Sequence, residues 1–344
     1  MFPQLNLWAK PERQDEDWTY SMRKLCLPAV LATGIILSSC SGDSDTSSTS
    51  MNAGKTTPSS TLDLTTVNDY RLSTHFDCLR ENGGVAIAAH RGGPYPGYPE
   101  NAINTFEYGR DHDIRVFEID VAESQDGVLF LMHDTTLTRT TTGHGFVAEK
   151  DWAYIRDLKL IDNEGTTTDL HPPTLRDALE WAIETNSILE LDKKPTTSFR
   201  NIIGAVREVG AENNVILISY DNKQAEEIAG LAPDLMMTAS AFSARDVDEL
   251  KKLGVRQENL IAWTGISGPD FKAWHAVRDI GIEPAFGTLG RPGERLDDQY
   301  LADNDGSEFQ DLQDQGLVLI ATDAPLEVAR FITGDDIAKE KCAL

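Results

Sequence analysis

Short apolar runs alternate with amphipathic segments through most of the sequence, and this alternation restricts the fold more than any other feature. Runs rich in β-branched and small apolar residues are typical of buried parallel strands. They are 85–89, 116–121, 128–132, 188–192, 215–219, 235–238, 282–286 and 317–321. The segments between many of them have the apolar periodicity of surface helices. The pattern predicts an α/β fold, and a count of eight strands favours a closed (β/α)₈ TIM barrel.

One further apolar run, 260–263, does not fit this count. It is either a short additional strand or a barrel strand that displaces one of the eight runs. The order of the strands between residues 235 and 286 is therefore left open.

The first 68 residues have the pattern of a processed leader and a linker. Residues 22–39 begin with Met22 and two basic residues and continue into an apolar stretch too short to span a bilayer. This stretch ends in Leu-Ser-Ser before Cys40, as in a bacterial lipobox. Residues 1–21 then lie upstream of the true start, and 40–68 form a flexible Ser/Thr-rich tether to a barrel domain at 69–338. We expect a bacterial envelope protein, periplasmic or on the outer-membrane face, whose only membrane contact is a lipid anchor at Cys40.

Acidic residues outnumber basic residues by 56 to 31, which gives a net charge of −25. Such a surface repels nucleic-acid phosphates, so a nucleic-acid partner is not expected. It also repels a phosphate ester. An enzyme acting on such a substrate must offset the charge locally with a cation or with basic side chains.

Two cysteines, Cys78 and Cys342, lie near the two ends of the predicted barrel domain. In an oxidising compartment they could form a disulfide, because a closed barrel brings its first and last strands together. Either could instead be a small buried apolar residue.

Polar residues follow the early strands, where the active site of a TIM barrel forms. His90 and Arg91 end the first predicted strand, and His133 ends the third. Glu118 and Asp120 point to one face of the second strand, because alternate residues of a strand share a face. Glu190, Asp192 and Lys194 share a face of the fourth strand in the same way. Buried carboxylates of this kind are costly unless a cation or a hydrogen-bond network holds them, and oxygen ligands favour Ca²⁺ or Mg²⁺.

The order and spacing of several short motifs resemble the signature of the glycerophosphodiester phosphodiesterase family. The matching residues are His90-Arg91-Gly92, Pro99-Glu100-Asn101, Phe106, Phe117-Glu118-Ile119-Asp120-Val121, Asp126-Gly127, His133-Asp134, Leu137, Arg139-Thr140-Thr141, Gly143 and Ala321-Thr322-Asp323-Ala324-Pro325. The resemblance implies a barrel of the phospholipase C-like phosphodiesterase type. It also implies hydrolysis of a small glycerophosphodiester to glycerol 3-phosphate and an alcohol.

The resemblance assigns roles to individual residues as well. His90 and His133 would be the acid/base pair, while Arg91 and Lys194 would contact the substrate phosphate. One divalent cation, Ca²⁺ or Mg²⁺, would be bound by Glu118, Asp120 and Asp192, with Glu190 as the alternative third ligand. Glu100 and Asn101 would support this site. The nucleophile is either water or a neighbouring hydroxyl of the substrate.

The sequence departs from the family pattern near the seventh barrel strand. Relatives often carry Trp-Thr-Val-Asn where this sequence has Phe286-Gly287-Thr288-Leu289. Trp263 and Phe286 are candidate pocket walls in this region, which leaves the identity of the alcohol open. Two alternative functions remain: phospholipase-like cleavage of intact lipid headgroups, which requires an exposed apolar rim, and surface binding by a catalytically silent lipoprotein.

Overall fold

The computed structural model describes residues 71–342. The predicted upstream segment 1–21, leader 22–39, lipidation site Cys40 and tether 40–68 lie outside the described residues. Within 71–342, no helix is both long enough and apolar enough to cross a bilayer.

The described strands form one closed sheet. They are β1 (Ala86–Ala89), β2 (Val116–Glu123), β3 (Leu129–Leu131), β4 (Ile188–Lys193), β5 (Val215–Ile218), β6 (Met236–Ser240), β7 (Leu260–Trp263), β8 (Glu283–Gly287) and β9 (Leu319–Thr322). Their order around the sheet is β1-β9-β8-β7-β6-β5-β4-β2, with β3 beside β2, and the parallel pairing of β1 with β2 closes the ring. The predicted (β/α)₈ TIM barrel is therefore confirmed.

The membership of the barrel differs from the sequence prediction at one strand. The predicted strand at 128–132 is not a barrel strand, because β3 pairs antiparallel with β2, with Val121 opposite Leu131. Residues 124–128 form a tight turn between the two strands. A parallel return would need a crossover of about a dozen residues or more. The run at 260–263 is the eighth barrel strand instead: it forms β7, which is parallel to β6 and β8.

Helices surround the barrel. They are α1 (Leu72–Asn82), α2 (Ile103–Asp111), α3 (Trp152–Ile155), α4 (Leu175–Thr185), α5 (Phe199–Val209), α6 (Asn222–Leu231), α7 (Ala244–Lys252), α8 (Phe271–Arg278), α9 (Leu296–Tyr300), α10 (Ser307–Asp314), α11 (Pro325–Val328) and α12 (Gly334–Lys341). Several begin at a side-chain cap, as at α4, where Thr174 and Asp177 form a reciprocal capping box.

Strand alternation separates the apolar residues into two layers. Ile87 and Ala89 of β1 pack in the layer between the sheet and the helices. Ala86 and Ala88 belong to a second layer inside the barrel, together with Phe76 of α1. This second layer contains the first residues of most strands, so α1 covers the amino-terminal end of the barrel. The opposite end of the barrel, where the carboxyl ends of the strands lie, is the end at which a TIM barrel forms its active site.

A disulfide joins Cys78 in α1 to Cys342, which follows α12, with 5.7 Å between their Cα atoms. It connects two segments at opposite ends of the described chain. The question left open by the sequence is thereby answered in favour of the disulfide.

Candidate active site

A pocket of about 330 Å³ opens at the carboxyl ends of the strands. Its lining includes His90, Glu118, Asp120, His133, Glu190, Asp192, Lys194, Ile218, Ser219, Tyr220, Thr238, Ser240, Trp263, Gly265, Ile266, Leu289 and Ala321. Strands β1, β2 and β4 and the segment after β3 thus bring both predicted histidines, all the predicted carboxylate ligands and Lys194 into one cavity.

Three carboxylates meet where β2 and β4 pair. Asp120 lies opposite Asp192 in the parallel register, and Glu118 lies one pleat below on the same face of β2. One oxygen from each of Glu118, Asp120 and Asp192 lies within 4.8 Å of the others. Glu190 is also buried, and burial raises its pKa to about 7, but it is not a member of this group. The geometry favours Asp192 over Glu190 as the third ligand.

This donor set suits a hard divalent cation. The Oδ1 atom of Asp192 is buried and lacks a hydrogen-bond partner among the described residues. Burial, followed by the charges of Asp120 and Asp192, raises the pKa of Glu118 well above its usual range. A bound cation would relieve both penalties, because carboxylate oxygens are the preferred ligands of Ca²⁺ and Mg²⁺.

Lys194 supplies part of the required positive charge. Its Nζ lies 2.5 Å from Asp120 Oδ1 and 2.6 Å from Asp192 Oδ2. Burial opposes the charged amine, but these two carboxylates outweigh burial and raise the pKa of Lys194. The lysine is therefore held as a cation beside the carboxylates, at the wall of the pocket.

Each pocket histidine is oriented by an aspartate. The Nδ1 of His90 lies 2.7 Å from Asp323 Oδ1, and the Nδ1 of His133 lies 2.8 Å from Asp134 Oδ1. Because Nδ1 is engaged in both rings, Nε2 is the nitrogen left for a substrate. The Nε2 of His90 lies 3.9 Å from Glu118 Oε2, at the edge of the carboxylate group. Contrary to the sequence interpretation, His133 follows the antiparallel β3 rather than a barrel strand.

Arg91 links the first strand to the carboxylates through both its backbone and its side chain. Its φ of 53° turns the chain so that its backbone N–H donates to Glu118 Oε2 at 2.8 Å. Its Nη1 donates to Glu100 Oε2 at 3.2 Å. Its Nε is buried, 4.0 Å from Asp120 Oδ2, and has no hydrogen-bond partner among the described residues. Arg91 itself lines a neighbouring pocket that shares His90 with the pocket described above.

Glu100 and Asn101 support the site from outside the carboxylate group. Glu100 is buried and accepts two hydrogen bonds of 2.8 Å from Arg139, besides the bond from Arg91. Asn101 accepts from the backbone N–H of Asp120 at 2.9 Å and donates through Nδ2 to Asp120 Oδ2 at 2.6 Å. Asn101 thereby fixes the orientation of one predicted ligand.

Comparison with known proteins agrees with this geometry. The model of the glycerophosphoryl diester phosphodiesterase family matches residues 90–259, which contain both histidines and the three carboxylates. The chain belongs to this family. A glycerophosphodiester phosphodiesterase of Caldanaerobacter subterraneus is 28% identical over 158 residues, which cover 43% of this chain and 63% of that protein.

Solved structures of family members share the fold. The crystal structure of a glycerophosphoryl diester phosphodiesterase from Parabacteroides distasonis has a TM-score of 0.65 and 26% identity, and the match covers 76% of this chain and 91% of that one. The structure of an Oleispira antarctica phosphodiesterase, in complex with the product sn-glycerol-3-phosphate, has a TM-score of 0.55 and 20% identity, and covers 73% and 98%.

The two predicted pocket walls have different positions in this family member. Trp263 is half-buried and lines the pocket. Phe286 does not line it, so that prediction is wrong. Phe286 is fully buried and packs on Trp274 of α8, with ring centroids 5.7 Å apart. The reason is the alternation along β8, which directs Phe286 towards the helices and Ala285 into the barrel.

Three polar residues of the site were not assigned a role from the sequence. Asp323 and Asp134 stand in quoted motifs, directly after a strand and directly after a histidine, which is the signal that could have identified them. Burial opposes the charge of Asp323, but His90, the backbone N–H of Gly290 and Arg295 together outweigh burial and lower the pKa of Asp323 to about 2. Tyr220, whose hydroxyl donates to Asp192 Oδ2 at 2.8 Å, carries no such signal.

Proposed function

We propose that this chain hydrolyses glycerophosphodiesters to glycerol 3-phosphate and an alcohol, using one divalent cation, Ca²⁺ or Mg²⁺, and a pair of histidines. The observation that carries the proposal is the meeting of two aspartate-oriented histidines and a buried carboxylate triad in one pocket. The Oleispira antarctica phosphodiesterase, which shares this fold, was solved in complex with its product sn-glycerol-3-phosphate. That complex supports the same product class here.

The cation would be held by Glu118, Asp120 and Asp192. When bound, it would supply positive charge against the negative charge that grows on the phosphoryl oxygens. The overall charge of −25 opposes an anionic substrate, so this local compensation is essential.

Arg91 and Lys194 would act on the phosphate itself. The unpartnered Nε of Arg91 can donate to a phosphoryl oxygen, and a charged donor of this kind forms a stronger hydrogen bond than a neutral one. Lys194, directly after β4, would contribute a point charge. Both side chains are already held by carboxylates, so little reorganisation is needed when the substrate binds.

His90 and His133 would move the protons. One ring, protonated at Nε2, gives its proton to the departing alkoxide, and the other, neutral at Nε2, takes a proton from the nucleophile. Asp323 and Asp134 contact Nδ1 of the two rings and so fix the orientation of each ring. A positioned acid or base of this type is worth roughly 10²–10⁴-fold in rate.

The direct test is product analysis with glycerophosphocholine. We expect choline and glycerol 3-phosphate to accumulate, the activity to disappear after treatment with a chelator, and Ca²⁺ or Mg²⁺ to restore it. Glu118→Gln should weaken both cation binding, measured by calorimetry, and turnover. Undiminished turnover after chelation would contradict the cation, and failure to release choline would contradict the substrate class.

The variants His90→Ala and His133→Ala test the proton transfers. Each should reduce turnover by at least about 10²-fold while circular dichroism remains that of the wild type. His144→Ala is the matched control, because His144 is exposed and does not line the pocket. Full activity in either pocket variant would contradict the acid/base pair.

We also propose that the chain is a lipoprotein of the bacterial cell envelope, anchored through Cys40. The Cys78–Cys342 disulfide supports an oxidising compartment. Expression in a bacterium with labelled palmitate should label the wild type and not Cys40→Ala. Equal labelling of the two proteins would contradict the anchor.

A further inference from the structure

The pocket has two chemically different sides. The side formed by β1, β2, β4 and the segment after β3 carries the histidines, the carboxylates and Lys194. Among the described residues that line the pocket, the side formed by β5 to β9 carries no charged group. Its large side chains are Ile218, Tyr220, Trp263, Ile266 and Leu289.

Three of these side chains form one continuous surface, the apolar wall, defined as Trp263, Ile266 and Leu289. They converge on Gly287. A methyl group placed on Gly287 would lie 2.8 Å from Ile266 Cγ2, 3.0 Å from Trp263 Cη2 and 3.4 Å from Leu289 Cγ. A larger residue at this point of β8 would force these side chains to shift, so glycine allows the three to pack together as they do.

The apolar wall extends from the catalytic groups to the solvent. Trp263 and Leu289 are half-buried in the pocket, whereas Ile266 is 43% exposed at its mouth. Tyr220 connects the two sides: its hydroxyl binds Asp192, and its ring is 64% exposed. A hydrocarbon group next to a bound phosphate could therefore contact this wall, whose three side chains are uncharged and line the same pocket as the catalytic groups.

A substrate with only a small hydrophilic alcohol would leave this wall in contact with water. Removing apolar surface from water is worth about 25 cal/mol per Å², or about 0.8 kcal/mol per buried CH₂ group. A hydrocarbon chain on the substrate would gain this free energy, and a bare glycerol or choline group would gain little of it.

We infer that the preferred substrates are single-chain phospholipid monomers, in which the phosphodiester occupies the catalytic side and the hydrocarbon chain lies on the apolar wall. This inference rests on the proposed function and specifies its substrate class. The same bond to the alcohol is cleaved, so the phosphate-bearing product of such a substrate is a monoacylglycerol 3-phosphate instead of glycerol 3-phosphate. It applies to monomers in solution, because the wall lines the pocket itself.

The test compares substrates that release the same alcohol. Glycerophosphocholine and its monoacyl derivatives with butanoyl, hexanoyl and octanoyl chains all yield choline, so one assay serves the series. Each is used below its critical micelle concentration, with the full chain and added Ca²⁺ or Mg²⁺. We expect kcat/KM to rise about two- to fourfold per added CH₂ group while the chain gains contact with the wall.

Two variants test whether the dependence of kcat/KM on chain length arises from the apolar wall. Ile266→Ser and Leu289→Ser should each lower the ratio of kcat/KM for the octanoyl substrate to kcat/KM for glycerophosphocholine by about tenfold. Phe146→Ser is the matched control, because Phe146 is 54% exposed but does not line the pocket. It should leave this ratio unchanged.

The outcomes are distinguishable. If glycerophosphocholine is hydrolysed and acyl chains give no advantage, the inference is overturned and the proposed function stands. An advantage confined to concentrations above the critical micelle concentration would also overturn it, in favour of docking on a lipid surface.

If no substrate is hydrolysed, the proposed function fails, and binding of monomeric octylphosphocholine, measured by calorimetry, tests the inference. Weaker binding to Ile266→Ser than to the wild type supports it, and equal binding or no binding overturns it.

Discussion

Asp323 makes three polar contacts at the end of the last barrel strand. Its Oδ1 lies 2.7 Å from His90 Nδ1, while its Oδ2 accepts from Gly290 N at 2.9 Å and lies 3.0 Å from Arg295 Nη1. The contacts on Oδ2 fix the carboxylate, so Oδ1 can orient the ring. Asp323 is thus a positioning residue that acts through His90.

The variant Asp323→Asn tests this role. The amide keeps the shape of the side chain but removes the carboxylate that orients His90 through Nδ1, so we expect kcat to fall about 10²–10⁴-fold with a small change in KM. Steady-state kinetics measure kcat and KM, and circular dichroism checks that the variant is folded. Asp323→Glu should recover part of the rate, which a purely structural role would not predict. An unchanged kcat in Asp323→Asn would refute the assignment.

Asp323 should also make stability depend on pH. Its pKa is about 4 in the unfolded chain and is lowered to about 2 in the folded state, because contacts with His90, Gly290 and Arg295 together outweigh burial. A lowered pKa stabilises the fold above the unfolded value, and the contribution is lost as pH falls towards about 2. Chemical denaturation should show a larger difference between wild type and Asp323→Asn at pH 6 than at pH 3. A difference that grows on acidification would contradict the assignment.

Asn101 should control cation affinity without contacting the cation. It binds both the backbone and the carboxylate of Asp120 and has a φ of 59°. Asn101→Gly keeps this backbone conformation but removes both hydrogen bonds, so Asp120 loses its orientation. We expect cation affinity to fall about 10–100-fold, measured by calorimetric titration with Ca²⁺ or Mg²⁺. Asn186→Gly, at another left-handed position outside the pocket, is the control and should bind normally.

At the level of residues, the sequence was sufficient where the signal is local. Glu118 and Asp120 alternate along one strand, and His90 follows another, so their direction could be predicted from strand geometry. The pairing of His90 with Asp323 spans 233 positions and arises only because β1 and β9 are neighbours in the closed ring. Tyr220 reaches Asp192 from the loop after β5, which no periodic pattern predicts.

At the level of elements, the β2–β3 hairpin shows what an apolar pattern leaves undetermined. Residues 128–132 have the composition of a strand, and composition does not distinguish a parallel neighbour from an antiparallel one. The distinguishing evidence is the short connection after Glu123, which excludes a crossover. The hairpin nevertheless delivers His133 to the pocket, so the site prediction was insensitive to this error.

Arg139 fastens the segment after β3 to the barrel. It binds the buried Glu100 through two hydrogen bonds of 2.8 Å and Asp134 Oδ2 at 2.7 Å. Arg139→Met should leave Glu100 with Arg91 as its remaining cation and release Asp134. We expect a melting temperature lower by a few degrees, since about 1 kcal/mol corresponds to about 2–4 °C in a domain of this size. Turnover should fall as well, because Asp134 orients His133.

Arg245→Met is the matched control for this prediction. Arg245 is 86% exposed and pairs with Glu249 on the surface of α7, where an ion pair contributes about 1 kcal/mol or less. Equal melting temperatures for Arg139→Met, Arg245→Met and the wild type would show that the Arg139 contacts do not stabilise the fold.

At the level of the whole molecule, one end of the barrel carries the proposed catalytic residues and the other end carries contacts that stabilise the fold. The carboxyl end holds every residue of the proposed chemistry. The amino-terminal end is covered by α1, whose Leu72, Phe76 and Leu79 pack against the first residues of the strands. The disulfide ties α1 to Cys342, which is buried in the same cluster. Stability and catalysis should therefore respond to different changes.

Removal of the disulfide tests this separation. The bond closes a loop with a sequence separation of 264, so its loss increases the entropy of the unfolded chain. Replacing Cys78 and Cys342 together by Ser should lower the free energy of unfolding by about 2–5 kcal/mol, measured by urea denaturation. Turnover at 25 °C should stay within about twofold, because the pocket lies at the other end of the barrel. Reductant should destabilise the wild type and leave the double variant unchanged; a wild type that is insensitive to reductant would contradict the disulfide.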